Sequence, residues 1–196
     1  MTKLILATTS PYRKEAFGYL GIDFETEGSN VDESQAERNN PEELVKNLSR
    51  LKAEAVAKNH SDAIVIGMDS VAYFNNQILE KPKSKEEEFQ RLQSLSGNNH
   101  QFYTGIHIVN TALDKVISRV VKTEVFMRKL SDKEIDKYLD EDPHFNTYAL
   151  GYDPESHSSS TFVKRIEGSY NNLLRGIPLE TIVEMLPEVG YKFNQV

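Results

Sequence analysis

The chain has 196 residues, a formal net charge of -7 at pH 7 and 38% hydrophobic residues, enough apolar content to bury a core as one domain over 1–196. Its acidic balance argues against a general nucleic-acid binder, so an anionic ligand would have to be met by a local cluster of cations. Cysteine is absent, which removes disulfides, thiolate catalysis and cysteine-ligated zinc. No apolar run is long enough to span a bilayer, and polar residues interrupt the opening run by Thr8. The expectation is a cytoplasmic protein with neither a nucleic acid nor a membrane as partner.

The first element predicted is a strand over Lys3–Ala7, followed by a helix over Pro11–Leu20 with Gly21 as its stop. Proline suits the first helical position and Ser10 is a natural cap before it. Backbone N–H groups, hydroxyls and the Arg13 guanidinium therefore converge where an anionic group such as a phosphate would sit. Phe24–Glu27 reads as a short strand, and the polar, acidic run 31–40 as an exposed loop. Pro41 opens a long helix to about Asn59, with Leu44, Val45, Leu48, Leu51, Ala55 and Val56 on one face.

Ala63–Met68 is a continuous apolar run, the mark of a strand covered on both sides. Val71–Phe74 and Gln77–Leu79 flank Asn75-Asn76, a two-residue hairpin turn. Ser84 caps a helix to about Leu95. Two long strands, Phe102–Val109 and Val116–Met127, precede a helix over Ser131–Leu139, where Ser131 stands three residues before Glu134 in a capping-box pattern. The run 144–160 has no clear period; Thr161–Ile166 reads as a strand and Leu179–Leu186 as a last helix led by Pro178. Helices alternate with strands early and a long hairpin follows, so the fold class is α/β with a mixed sheet.

Asp69 is read as lying where the buried strand emerges, the place where open α/β sheets present ligand-binding side chains. A carboxylate there either orients a metal ion or accepts a proton from water, or else caps the following turn. Asp32-Glu33 in the acidic loop offers a second carboxylate. Lys52 inside a helix and Lys81, held extended by Pro82, are ordinary surface lysines by themselves. The five histidines show no metal-ligand spacing. Ser156–Ser160 around His157 lacks a nucleophile elbow and reads as a polar loop.

In their order along the chain, these segments resemble the Maf family of nucleoside triphosphate pyrophosphatases. The resemblance rests on Leu6–Arg13, Val31-Asp32-Glu33, Lys52–Val56, Gly67–Ser70, Glu80-Lys81-Pro82, Leu95–His100 with Thr104-Gly105, Phe162–Tyr170 and Gly176–Leu179. It implies a twisted mixed sheet flanked by helices, in two lobes with a central cleft, and a homodimer. It also implies hydrolysis of a nucleoside triphosphate to the monophosphate and pyrophosphate with Mg²⁺ or Mn²⁺. Ser10, Arg13, Lys52 and Lys81 would then hold the phosphates, Glu33 and Asp69 the metal, and Asp69 would accept the proton of the attacking water. A non-catalytic nucleotide-binding regulator of cell division, or a pyrophosphatase for other modified nucleotides, remains an alternative.

Three positions bear on the base. Where the dTTP- and UTP-directed branch has arginine, threonine and glutamine, this chain has Tyr12, Ser70 and, by approximate alignment, Glu155. An aromatic residue and a glutamate are more similar to the branch that hydrolyses 7-methyl-GTP. A carboxylate can accept from both N1–H and the exocyclic amine of guanine. Tyr12 could stack on a base, and a methylated, cationic purine would gain cation–π attraction.

Overall fold

The computed structural model describes residues 2–34 and 36–193. Its seven strands form one mixed sheet in the order β2-β1-β3-β5-β6-β7, with β4 paired to β3. The strands are β1 (Lys3–Ala7), β2 (Glu25–Thr26), β3 (Ala63–Phe74), β4 (Gln77–Leu79), β5 (Asn99–Asn110), β6 (Lys115–Met127) and β7 (Val163–Glu167). β1 runs parallel to β2 and β3, while every other pairing is antiparallel. The helices are α1 (Pro11–Gly18), α2 (Pro41–Ala57), α3 (Lys85–Leu95), α4 (Asp132–Glu141), α5 (Tyr170–Arg175) and α6 (Leu179–Glu188).

Strand alternation explains the layers. Leu4 and Leu6 point with Ile64, Ile66, Met68, Ile106 and Ile108 into a core closed by α1 and α6. Ile5 and Ala7 point with Ala63 and Val65 to the other face, against Ala53, Val56 and Ala57 of α2. A second apolar cluster joins α3, α4, Phe102, Val125, Tyr152, Phe162 and Leu173, giving the two expected lobes. The expected caps form: Ser10 accepts from the Arg13 N–H, and Ser131 and Glu134 complete the capping box. Asn75 and Asn76 both take positive φ at the tip of the β3–β4 hairpin, as its primed turn requires.

Some elements differ from the sequence expectation. β3 does not end near Met68. It runs on through Asp69 and Ser70 because β5 continues the ladder, pairing Asp69 with Gly105 and Ser70 with Thr104. The strand expected at Thr161 starts at Val163, since Ser158–Thr161 winds into a 3-10 turn closed by hydroxyl-to-carbonyl bonds from Ser160 and Thr161. The β5 strand begins at Asn99, and β2 shrinks to two residues. The loop expected over 31–40 is found at its described residues; Gln35 lies outside them.

Gly67 and Gly105 are where α2 rests on the sheet. A Cβ on Gly67 would run into the backbone of Ser49 and Ala53, and one on Gly105 into that of Val45. Rigid backbone cannot swing aside, so Gly67→Ala is expected to destabilise the protein by about 3 kcal/mol, at the top of the overpacking range. The urea midpoint, measured with an unchanged m-value, checks this.

Candidate active site

A break in the sheet makes the site. β1 stops at Ala7 opposite Gly67, and β4 joins the same edge of β3 only at Ala72. Met68, Asp69, Ser70 and Val71 are therefore without a strand neighbour on that side, and a cleft of about 1100 Å³ opens over them. The loop after β1 and the start of α1 form one wall, and the segment around Tyr148–Pro154 forms another. Asp69 is thus presented by a gap beside a continuous strand, which sequence periodicity reads as a strand end.

At the floor, Lys52 of α2 reaches through to two carboxylates. Its Nζ lies 2.6 Å from Asp69 Oδ1 and 2.8 Å from Glu33 Oε1. The Lys52 and Asp69 side chains are only 15% and 11% exposed, so this bridge is shielded from bulk water. Burial raises the Asp69 carboxyl above the ordinary aspartate range. That effect outweighs the opposing charges of Lys52 and Arg13, and Glu33 adds to the rise. Glu33 and Asp69, separated in sequence, are brought together as expected.

Arg13 serves as a brace within the same floor. Its Nη1 donates to Met68 O (3.0 Å), one of the carbonyls left at the sheet gap, Nε to Gly176 O (3.0 Å) and Nη2 to Ser70 Oγ (2.7 Å). Burial lowers its pKa, against the raising effect of Asp69 and Glu33. Of its five N–H donors one remains on each terminal nitrogen for a ligand. Ser70 is fixed in turn by Thr104 Oγ1 at 2.6 Å. Ser10 and the exposed Lys81 also line the cleft.

Tyr12 lines the cleft with its ring 5.5 Å from that of Tyr148 and its hydroxyl 3.2 Å from Thr147 Oγ1. Glu155 is placed differently. Pro154 lines the cleft, whereas the Glu155 carboxylate is held by Arg175 Nη2 at 2.5 Å, and Asp153 accepts from Nη1 of the same guanidinium at 3.2 Å. Sequence reasoning missed Arg175, Arg38, Lys83, Tyr148 and Thr104. Arg175 stood beside Gly176-Ile177-Pro178, but α5 is too short for a periodic signal. Arg38 lay in a loop read only as acidic; it pairs with Glu80 on the cleft rim.

The fold is that of an α/β protein similar to the Staphylococcus aureus Ham1 protein, with TM-score 0.52 at 15% identity over 95% of this chain and 98% of that one. The Coxiella burnetii HAM1 protein gives the same score and identity. The family model described as Maf-like protein matches residues 3–189, and the chain belongs to that family. A relative from Nitrosococcus oceani named 7-methyl-GTP pyrophosphatase is 36% identical over 194 residues, covering 96% of this chain and 94% of that protein. One from Bacillus anthracis named dTTP/UTP pyrophosphatase is 37% identical over 189 residues, covering 96% of each.

Proposed function

We propose that the chain hydrolyses a nucleoside triphosphate to the monophosphate and pyrophosphate in the cleft above Asp69. The observation that carries this is the shielded Lys52–Asp69 pair, joined by the more exposed Glu33, on the floor of a nucleotide-sized cleft with Arg13, Arg38, Lys81 and Lys83 in its lining. The relatives of the same family named as nucleotide pyrophosphatases supply the reaction class. The cations would hold the triphosphate and offset charge developing in the transition state. Asp69 would accept a proton from water as the water oxygen bonds to phosphorus and the α–β anhydride P–O bond breaks, releasing pyrophosphate. The pKa raised by burial makes the ionised carboxylate a stronger base for that task.

Glu33 and Asp69 also fit a hard divalent cation. Lys52 Nζ engages one oxygen of each, Glu33 Oε1 and Asp69 Oδ1, so a cation would take the other oxygens beside that ammonium; no group of three or more His, Cys, Asp or Glu occurs among the described residues. Such a pair suits Mg²⁺ or Mn²⁺ held jointly with phosphate and water oxygens. The ion would supply charge neutralisation and polarise a phosphoryl oxygen.

For the base, we favour a 7-methyl-GTP-like purine. The Tyr12–Tyr148 pair offers aromatic faces in the cleft wall, on which a cationic base gains more than a neutral one. A preference for dTTP or UTP is favoured by a different observation, that Arg175 already engages the Glu155 carboxylate. Pyrophosphate release from 7-methyl-GTP, GTP, ITP, dTTP, UTP and CTP decides between them. With 7-methyl-GTP, Tyr12→Ala is expected to raise KM by about tenfold, the loss of one desolvated cation–π contact. With dTTP it is expected to change KM little. Equal loss on both substrates removes the stacking reading, and no turnover of any nucleotide removes the enzyme reading.

A further inference from the structure

Glu88 is the most anomalous side chain of the fold. It is fully buried on α3, and neither carboxyl oxygen has a hydrogen-bond partner. The nearest charge is its own helix neighbour Arg91, with Nε at 3.5 Å. Arg91 Nη1 is likewise buried and unpaired, and Nη2 is turned to Glu87 at 3.3 Å. An ionised carboxylate so enclosed is costly unless something compensates it.

What lies against Glu88 is the cleft wall. A Cβ on Gly151 would fall on both carboxyl oxygens and displace the Glu88 side chain, and the φ of +77° independently favours glycine. From the other side Tyr138 Oη of α4 lies 3.1 Å from both Gly151 O and Asp142 Oδ2, which share its single proton. The next residue, Tyr152, sets its hydroxyl 3.3 Å from His100 Nε2 of β5. Glu88 and the Tyr138 hydroxyl thus grip the one glycine of a segment whose Tyr148, Ala149, Leu150, Tyr152 and Pro154 line the cleft.

We propose that Glu88 is a positioning residue: as a neutral carboxylic acid it seats Gly151 and so holds the cleft wall, and its ionisation loosens that wall and weakens substrate binding. The charged and titratable groups facing it are Arg91 and Glu87 on α3, Tyr138 and Asp142 on α4, His100 on β5 and Tyr152 in the wall. Arg91 favours the ionised form and Glu87 opposes it. The tyrosines and His100 are themselves held neutral by burial. Burial raises the Glu88 carboxyl to about 8, so it is protonated at neutral pH. This folded value lies above that of the unfolded chain. Its contribution to stability is therefore complete below about pH 4.5 and is lost as pH rises toward 8.

The proposal rests on the pyrophosphatase reading only for its substrate, and two measurements keep the two apart. Thermal unfolding without nucleotide, from pH 6 to 9, tests the buried acid. Glu88→Gln, neutral at every pH, is expected to lose less Tm across that range than wild type. The KM for 7-methyl-GTP or dTTP, whichever is turned over, tests the coupling. A roughly threefold or greater rise from pH 7 to 9 is expected in wild type as most of the carboxyl ionises, and a flat profile in Glu88→Gln. Should Glu88→Gln fail to fold, Glu88→Ala, which cannot strike Gly151, takes its place and is expected to show the same flat profile. Identical Tm slopes overturn the buried acid, and an unaltered KM profile beside altered Tm slopes overturns the positioning role. Absence of turnover with the expected Tm slopes overturns the function proposed above, and the coupling to substrate falls with it.

Discussion

Asp69→Asn is expected to lower kcat by about 10²–10⁴-fold, the usual contribution of a positioned proton acceptor, with little change in KM. Asparagine keeps the size of the side chain and removes its basicity, together with the charge that pairs with Lys52. Lys52 retains Glu33 at 2.8 Å, and the β3–β5 ladder at Asp69 and Gly105 is made by backbone, so the cleft should persist. The wild-type kcat should fall as pH drops through the raised Asp69 pKa, because the carboxylate must be ionised to take the proton. Residual turnover of Asp69→Asn should lack that acid limb. The stability dependence has the opposite sense. A folded pKa above the unfolded value gives stability that is full below about pH 4 and lost as pH rises through the folded value. Asp69→Asn should therefore lose less stability than wild type as pH rises above about 4. Steady-state kinetics and urea unfolding, each across a pH series, check both statements. Near-wild-type turnover would remove Asp69 as the proton acceptor.

What could be read from the sequence divides along one line, local signals against long-range pairing. Helix caps at Ser10, Ser84 and Ser131 are local hydrogen bonds and were legible, as were the apolar run of β1 and the stripe of α2. Lys52, Glu33 and Asp69 were singled out through the order of motifs along the chain. Nothing local could say that Lys52 bridges both carboxylates, because that depends on Gly67 and Gly105 letting α2 settle onto the sheet. Asp69 was placed at a strand end because its neighbours turn polar. The real boundary belongs to β1, whose last residue, Ala7, stops opposite Gly67 although the two lie far apart in sequence.

Charged residues were the least legible. Arg13 reads as a phosphate ligand from its place in the first turn of a helix, yet most of its fork is spent on Met68 O, Gly176 O and Ser70 Oγ. Glu88 stands in the run Lys85-Glu86-Glu87-Glu88, which reads as a solvated helix start. Only the docking of α3 against α4 and Gly151 buries it. Glu155 was assigned by approximate alignment, and its partner Arg175 sits on a helix of six residues whose Asn171-Asn172 mask it. Charge and local pattern give residue type and helix register; they do not give the partner across the fold.

Lys52→Met tests the partner that tunes Asp69. Methionine fills much of the stem volume and removes the ammonium between Asp69 Oδ1 and Glu33 Oε1. Removing one member of a shielded ion pair costs about 3–5 kcal/mol when the charge left behind stays ionised. Asp69 can avoid that cost by keeping its proton. In wild type Lys52 lowers its pKa both as a charge and as a hydrogen-bond donor, so without Lys52 the value rises further. The acid limb of kcat is therefore expected to move to higher pH. The loss of a phosphate-facing cation is expected to lower kcat/KM by a further 10²–10³-fold, on the order of one preorganised donor. Unfolding should show the linkage directly. With the folded pKa higher still, the variant keeps its stability best at low pH and loses more of it than wild type as pH rises, so its deficit grows with pH. Lys52→Arg restores the charge without the compact ammonium, and should recover the acid limb before it recovers kcat/KM. An acid limb that stays at the wild-type pH in Lys52→Met would mean that Lys52 does not set the basicity of Asp69. The rate loss would then belong to phosphate binding alone.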